Sequence, residues 1–356
     1  MQLAQEKCCI APLGSKKRKA RQCRKEVTGR GERKRGQRPR PSPRPVANFH
    51  CWRPTMPRLR SPHADLTAAA ELLRASSDYR VLQRLPRPYD DLPDELPEGA
   101  RRVAIVDVET TGLDPRVDKI IELAIMHVAL AADGTVLGHS RPMSWREDPG
   151  EPLIPEITRL TGLTDEDVAG QRIDDRAVMA ILSRCELIVG HHSNFDIKFV
   201  DKRLPQAVSL PWACSLAEID WTGLGYPCRK LEHLLLEHGA FYDAHRAEGD
   251  IWALYQLLQS RVRTRGDEAA GAATGTYFGA LLRSSDAGCV RVRAYGLPFD
   301  DKDWAKARGY TWDAMKRVWW RDVPMADYPA EKAAFREAGH PEPAATALNA
   351  HQRYRH

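Results

Sequence analysis

The chain has 356 residues, 42% of them hydrophobic, which allows two or three domains with a real core; no run of about 18 apolar residues is present to span a membrane as a helix. The formal charge of +6 hides a division, because residues 1–60 hold 18 Lys and Arg against 3 Glu and leave −9 on the other 296. Eight cysteines without paired spacing, apart from the adjacent Cys8 and Cys9, exclude a disulfide scaffold and a zinc motif and fit a reduced, cytosolic protein.

In chain order, no apolar segment follows the first charges, so a secretory signal is not expected. Lys16-Lys17-Arg18-Lys19, Arg33-Lys34-Arg35 and Pro41-Ser-Pro-Arg-Pro45 make residues 1–62 a basic, Pro-rich, low-complexity stretch expected to be disordered. Two readings of it stand. It binds phosphate backbones through counterion release, or it is translated ahead of a true start near Met56. A short helix from Ala68 to Arg74, capped by Asp65 or Thr67, and an acidic Pro-rich linker fill residues 63–100.

Val-Ala-Ile-Val-Asp-Val-Glu (103–109) reads as a buried strand, since every position except the acids is apolar and β-branched residues abound. A side-chain period of two aims Asp107 and Glu109 at one face, and paired carboxylates at the end of a buried strand are costly unless a cation neutralises them. Hard oxygen ligands without a closed cage suit Mg²⁺ or Mn²⁺. Thr110-Thr111-Gly112-Leu113-Asp114-Pro115 then turns the chain. Further strands are expected at 120–130, 136–145, 187–191 and 208–213. Asp196 opens a helical stretch, where an acid is equally expected as an ordinary first-turn residue. On one continuous helix His245 and Asp250 would stand about 140° apart, so His245 is expected on the entering loop and Asp250 on the helix. Four carboxylates and an imidazole in this order have the make-up of a two-metal, phosphodiester-cleaving centre.

Asp-Val-Glu-Thr-Thr-Gly-Leu, Ile-Ile-Glu-Leu-Ala (120–124), Ile-Thr-Arg-Leu-Thr-Gly-Leu (157–163), Val-Gly-His-His-Ser-Asn-Phe-Asp and Ala-His-Arg-Ala-Glu-Gly-Asp together resemble the motifs of the DEDD exonuclease superfamily. They are closest to its histidine subgroup, which includes the epsilon subunit of bacterial DNA polymerase III and ribonuclease T. One departure is His192-Ser193, where many members carry Asn-Ala. Over residues 101–262 the resemblance implies an α/β, ribonuclease H-like fold with a five-stranded mixed sheet flanked by helices. It implies two divalent ions, Mg²⁺ or Mn²⁺, held by Asp107, Glu109, Asp196 and Asp250, with His245 deprotonating the attacking water. Thr110, Thr111, Gly112, Leu113 and Phe195 would meet the substrate; for Leu113 and Phe195 core packing is the competing reading. The implied activity is 3'-5' hydrolysis of a nucleic acid with a free 3' end to 5'-mononucleotides, DNA favoured over RNA, in a repair or polymerase complex. RNA trimming is the alternative. A silent nucleic-acid-binding scaffold is opposed by the intact set of five residues.

Residues 263–276, rich in Ala and Gly, read as a flexible linker, 277–340 as a small α+β module and 341–356 as a tail. Val290–Tyr295 and Val318–Arg321 read as strands, and Pro298–Gly309 as a helix stopped by glycine. Trp304, Trp312, Trp319 and Trp320 are needed for a core in so small a module; stacking of bases beside Lys306, Arg308, Lys316 and Arg317 is the other reading. The segment 306–320 is similar to a small module found appended to nucleases, a likeness that names no activity.

Overall fold

The computed structural model describes residues 63–265 and 275–355. The basic tail and most of the Ala/Gly linker lie outside the described residues. Helix α1 (His63–Arg74) stands in a unit of its own, and residues from Leu82 onward form the other.

The centre is a mixed six-stranded sheet. It comprises β2 (Arg101–Thr110), β3 (Ile120–Leu130), β4 (Val136–His139), β5 (Met143–Arg146), β6 (Leu187–Gly190) and β7 (Trp212–Cys214), in the order β4-β3-β2-β6-β7 with β5 also on β3; the two-residue β1 (Gln83–Arg84) lies outside it. The antiparallel neighbour of β2 is β3, and its parallel neighbour is β6. Val103 and Ile105 point into one core with α7 (Leu231–Glu237) and α8 (Ala247–Leu258), whereas Ala104, Val106 and Val108 point into the other. Helices α2 (Pro155–Thr161), α3 (Asp165–Val168), α4 (Asp175–Leu182), α5 (Ser193–Arg203) and α6 (Ser215–Glu218) complete the layers. This is the α/β sheet flanked by helices expected from the sequence.

Two expected strands are shorter in the structure. The span 136–145 breaks into β4 and β5, because three residues, 140 to 142, face two of β3, 127 and 126, and Pro142 in the excess has no N–H to donate. In 208–213 the 3-10 turn Pro205–Ser209 takes the first residues and leaves only Trp212–Cys214 to pair.

The expected acidic linker is packed against the sheet edge. Trp252 Nε1 donates to Pro86 O at 2.7 Å, Asp91 N–H donates to His139 O at 2.8 Å, and β1 pairs in parallel with β8 (Ala240–Phe241). Helix α9 (Tyr277–Ala287), expected as the start of the C-terminal module, instead buries Tyr277, Phe278, Leu281 and Leu282 in the same core as Leu254 and Leu257. An amphipathic helix follows the larger apolar surface offered to it, whichever segment it precedes.

The rest of the module is an antiparallel sheet in the order β10-β11-β9-β12. Its strands are β9 (Cys289–Ala294), β10 (Thr311–Asp313), β11 (Val318–Pro324) and β12 (Ala344–Leu348), with α10 (Lys302–Ala307) and α11 (Tyr328–Glu337). Trp304 packs with Tyr310 and Phe335 in its core, while Trp312 stays 45% exposed.

The expected C-terminal tail returns to the layers around the six-stranded sheet. Beyond β12, Ala350 O accepts from Trp212 N–H at 2.9 Å, Tyr354 OH donates to Glu218 at 2.6 Å, and Arg355 pairs with Asp201 at 2.8 Å. Arg353, 3% exposed, is held against Glu218, whose carboxylate side chain is 6% exposed. Arg353→Ala would strand a buried carboxylate, so the variant is expected to lose about 3 kcal/mol of unfolding free energy in a denaturant titration. An unchanged midpoint would show that this strap carries no stability.

Candidate active site

Alternation along β2 puts Asp107 and Glu109 on the Val103–Ile105 face, opposite α8. Asp250, in the first turn of α8, completes a group in which one carboxylate oxygen of each residue lies within 4.8 Å of the others. Asp107 Oδ2 and Glu109 Oε1 are buried without a hydrogen-bond partner. Unpaired buried oxygens of this kind are what a hard divalent cation neutralises, so the donor set fits Mg²⁺ or Mn²⁺.

Asp196 is 2% exposed on α5, three residues into a helix that starts at Ser193 rather than at Asp196 itself. Ser193 anchors that start, its hydroxyl donating to Ala213 O at 2.7 Å and accepting from Gly190 N–H. Asp196 lines the same cavity as Asp107 and Asp250 but stands outside the tight group of three.

Two supports were not assigned from the sequence. Tyr242 OH donates to Asp250 Oδ1 at 2.5 Å, and His245 N–H donates to Oδ2 at 3.0 Å, so both oxygens of Asp250 are oriented from one loop. Glu122, fully buried and directly opposite Glu109 on β3, accepts from Ala247 N–H at 3.2 Å and pairs with Arg246, which fixes the start of α8. Glu122 lies within the Ile-Ile-Glu-Leu-Ala motif (120–124) quoted above, which gave it no role; nothing local signals Tyr242.

His245 lies on the loop entering α8, with φ of +69°, as the angular argument requires. Its Nδ1 is buried without a partner, and burial pushes its pKa below the usual histidine value, leaving a neutral ring at neutral pH. Thr110 Oγ1 donates to Gly112 O at 2.6 Å, and Asp118 accepts from Asp114 N–H at 2.8 Å. A Cβ on Gly112 would meet the Asp118 carboxylate at about 2.5 Å, so any larger residue there would displace that side chain from its bond to Asp114 N–H. Leu113 is 41% exposed on the rim; Phe195 stacks on His192 and packs against Phe199. The turn, Phe195, His245 and Leu160 line a second cavity of about 400 Å³ beside the carboxylates, within the range of small-molecule sites.

Burial pushes every carboxyl of the cluster up. Asp250 reaches about 6, Asp196 about 7 and Glu109 about 8, and Asp107 also lies well above its usual value, with its acidic neighbours adding to the shift. Acids with raised folded pKa values stabilise the fold in their protonated form and lose that contribution as pH rises through those values. Neutral buried histidines oppose them at lower pH. His191 and His238, pushed down to about 4 and about 3, favour folding more as pH rises toward 6.5. Between pH 6.5 and 8 the carboxyls therefore dominate. In chelator the melting temperature is expected to fall across that window, and Mn²⁺ is expected to raise it most at pH 8. A flat profile that ignores Mn²⁺ would contradict the charge cluster.

Residues 104–258 match the RNase T exonuclease family model. Over 177 residues the chain is 30% identical to DNA polymerase III PolC-type of Halalkalibacterium halodurans, covering 44% of this chain and 12% of that protein. Over 166 residues it is 26% identical to DNA polymerase III subunit epsilon of Treponema pallidum, covering 44% of this chain and 74% of that one. Among solved structures it is similar to the zinc-bound complex of E. coli ExoI with single-stranded DNA, at 15% identity and a TM-score of 0.38, covering 55% of this chain and 48% of that one. The chain spans only 6 to 13% of the length of its PolC-type relatives. The family match falls on the sheet and helices that carry the three converging carboxylates, and over residues 104–258 the chain is similar to the RNase T exonuclease family.

Proposed function

We propose that this protein is a metal-dependent 3'-5' exonuclease that hydrolyses the terminal phosphodiester of a nucleic acid and releases 5'-mononucleotides, with DNA as the favoured substrate in repair or proofreading. The observation that carries this reading is the convergence of Asp107, Glu109 and Asp250, two of them with unpartnered buried oxygens, next to a neutral histidine. The DNA preference rests on relatives named as DNA polymerase III proteins.

Asp107, Glu109 and Asp250, with Asp196 beside them, would hold two divalent ions. When bound, such ions polarise a water and neutralise charge on the leaving oxygen. His245 would accept the water's proton, for which a ring kept neutral by burial is suited. Tyr242 and the His245 N–H hold the Asp250 carboxylate in orientation, and Glu122 holds the helix that carries it. Leu113 and Phe195 would flank the terminal nucleotide at the junction of the two cavities. Digestion of 3'-end-labelled DNA and RNA, single- and double-stranded, with Mg²⁺ or Mn²⁺ tests the reading; no mononucleotide release from any of them would overturn it.

In the C-terminal module Trp312 is the tryptophan left exposed, in the β10–β11 hairpin that also carries the exposed Lys316 and Arg317. Trp312→Ala is expected to weaken single-stranded oligonucleotide binding by about 1 to 3 kcal/mol if that ring stacks on a base. Fluorescence titration reads the change, and an unaltered Kd would leave the hairpin without a nucleic-acid role.

A further inference from the structure

Helix α5 leads away from the carboxylates with a stripe of three residues on one face. Phe195 borders the catalytic cavity, and Lys198 and Lys202 follow it at the i, i+3, i+7 spacing that keeps side chains in line over roughly 10 Å of helix. The stripe ends in a groove of about 520 Å³ walled by Pro115 and Arg116 from the turn after β2 and by Tyr354 and Arg355 from the returning C-terminal strap. Four cationic side chains line this groove; Arg116 is paired with Asp114 and Arg355 with Asp201, which leaves Lys198 and Lys202 without a carboxylate partner. Residues 61–356 together sum to −9, so a local excess of positive charge here runs against the general balance. Lys198 is only half-exposed and makes no ion pair or hydrogen bond among the described residues, and Lys202 has only the Asp118 carbonyl, at 3.1 Å. A partly buried ammonium without a counter-charge costs desolvation free energy unless an anion reaches it.

We propose that this groove is the path of the substrate strand, its Lys198 and Lys202 pairing with the backbone phosphates that precede the 3'-terminal nucleotide. The recognised chemistry is the phosphodiester backbone, common to DNA and RNA. The strap residues Tyr354 and Arg355 then serve as one wall of a substrate channel as well as a clasp on α5. The assignment rests on the exonuclease reading only in placing the strand's 3' end at the carboxylates.

The test is equilibrium binding of fluorescein-labelled single-stranded DNA and RNA 12-mers to the full chain in chelator, followed by anisotropy from low to moderate salt. Each lost phosphate contact lowers the slope of log K against log salt by about 0.7 for a single strand. The Lys198→Ala/Lys202→Ala double variant is therefore expected to bind both 12-mers with a slope shallower by about 1.4 and at least tenfold more weakly at low salt. The basic N-terminal residues are present in both proteins and cancel in the difference. Lys198→Arg/Lys202→Arg is expected to keep the wild-type slope, which separates charge from folding, and melting curves check both variants. Neutral methylphosphonate linkages at the second and third positions from the 3' end should erase the gap between wild type and the alanine variant. The same linkages near the 5' end should leave it. Equal slopes for wild type and the alanine variant, or a gap that survives the 3'-proximal neutral linkages, overturn the path. Wild-type protein that shows the gap yet releases no mononucleotide with Mg²⁺ or Mn²⁺ overturns the exonuclease reading and leaves the groove standing.

Discussion

Asp107→Ala is expected to take nuclease turnover below detection while leaving the metal-free fold as stable as before or more so. Asp107 stands on a central strand with an unpartnered buried oxygen and with Asp196, Asp250 and Glu109 all repelling its charge. Removing it takes away one anchor of the ion site and at the same time relieves that repulsion. The two effects separate experimentally. Mn²⁺ should no longer raise the variant's melting temperature at pH 8, whereas the melting temperature in chelator should hold or rise. A loss of stability in chelator would mean that the residue serves the fold; wild-type turnover in a preparation free of contaminating nuclease would remove Asp107 from the chemistry.

His245 is expected to show a different signature. It lies outside the three-carboxylate group, its ring is neutral, and what it gives to Asp250 comes from its backbone N–H. Replacing the ring therefore removes a proton acceptor and leaves the ligands in place. Asparagine is the better probe, because position 245 has φ of +69° and Asn tolerates that region where Ala is strained. His245→Asn is expected to lower turnover by about 10² to 10⁴, with ion binding by calorimetry unchanged. Loss of a bound ion in that titration would make His245 a ligand.

The parts of the site legible in the sequence are those set by local periodicity. Alternation along 103–109 put Asp107 and Glu109 on one face, and the rotation per residue separated His245 on a loop from Asp250 on a helix; both placements are seen. What was not legible depends on contacts between distant segments. Tyr242 reaches Asp250 from the loop between β8 and α8, whose near end is held by the pairing of β8 with β1, and Glu122 reaches α8 only because β3 lies beside β2. Boundaries read from composition failed for the same reason. The Pro-rich segment before residue 101 packs because Trp252 and the β4 edge offer it partners, and α9 joins the larger core although an Ala/Gly-rich sequence precedes it.

The strap beyond β12 has a consequence for how the molecule comes to exist. Its bonds to Glu218 and Ser284 close loops of 135 and 69 residues, and Arg355 meets Asp201 across 154. Contacts of such sequence separation form late, because loop-closure entropy is lost before any contact is gained. During synthesis the helix bearing Asp196 therefore waits, incompletely clasped, until residue 355 has left the ribosome. The domain should thus mature after translation of the strap, and a stalled nascent chain lacking it should be protease-sensitive.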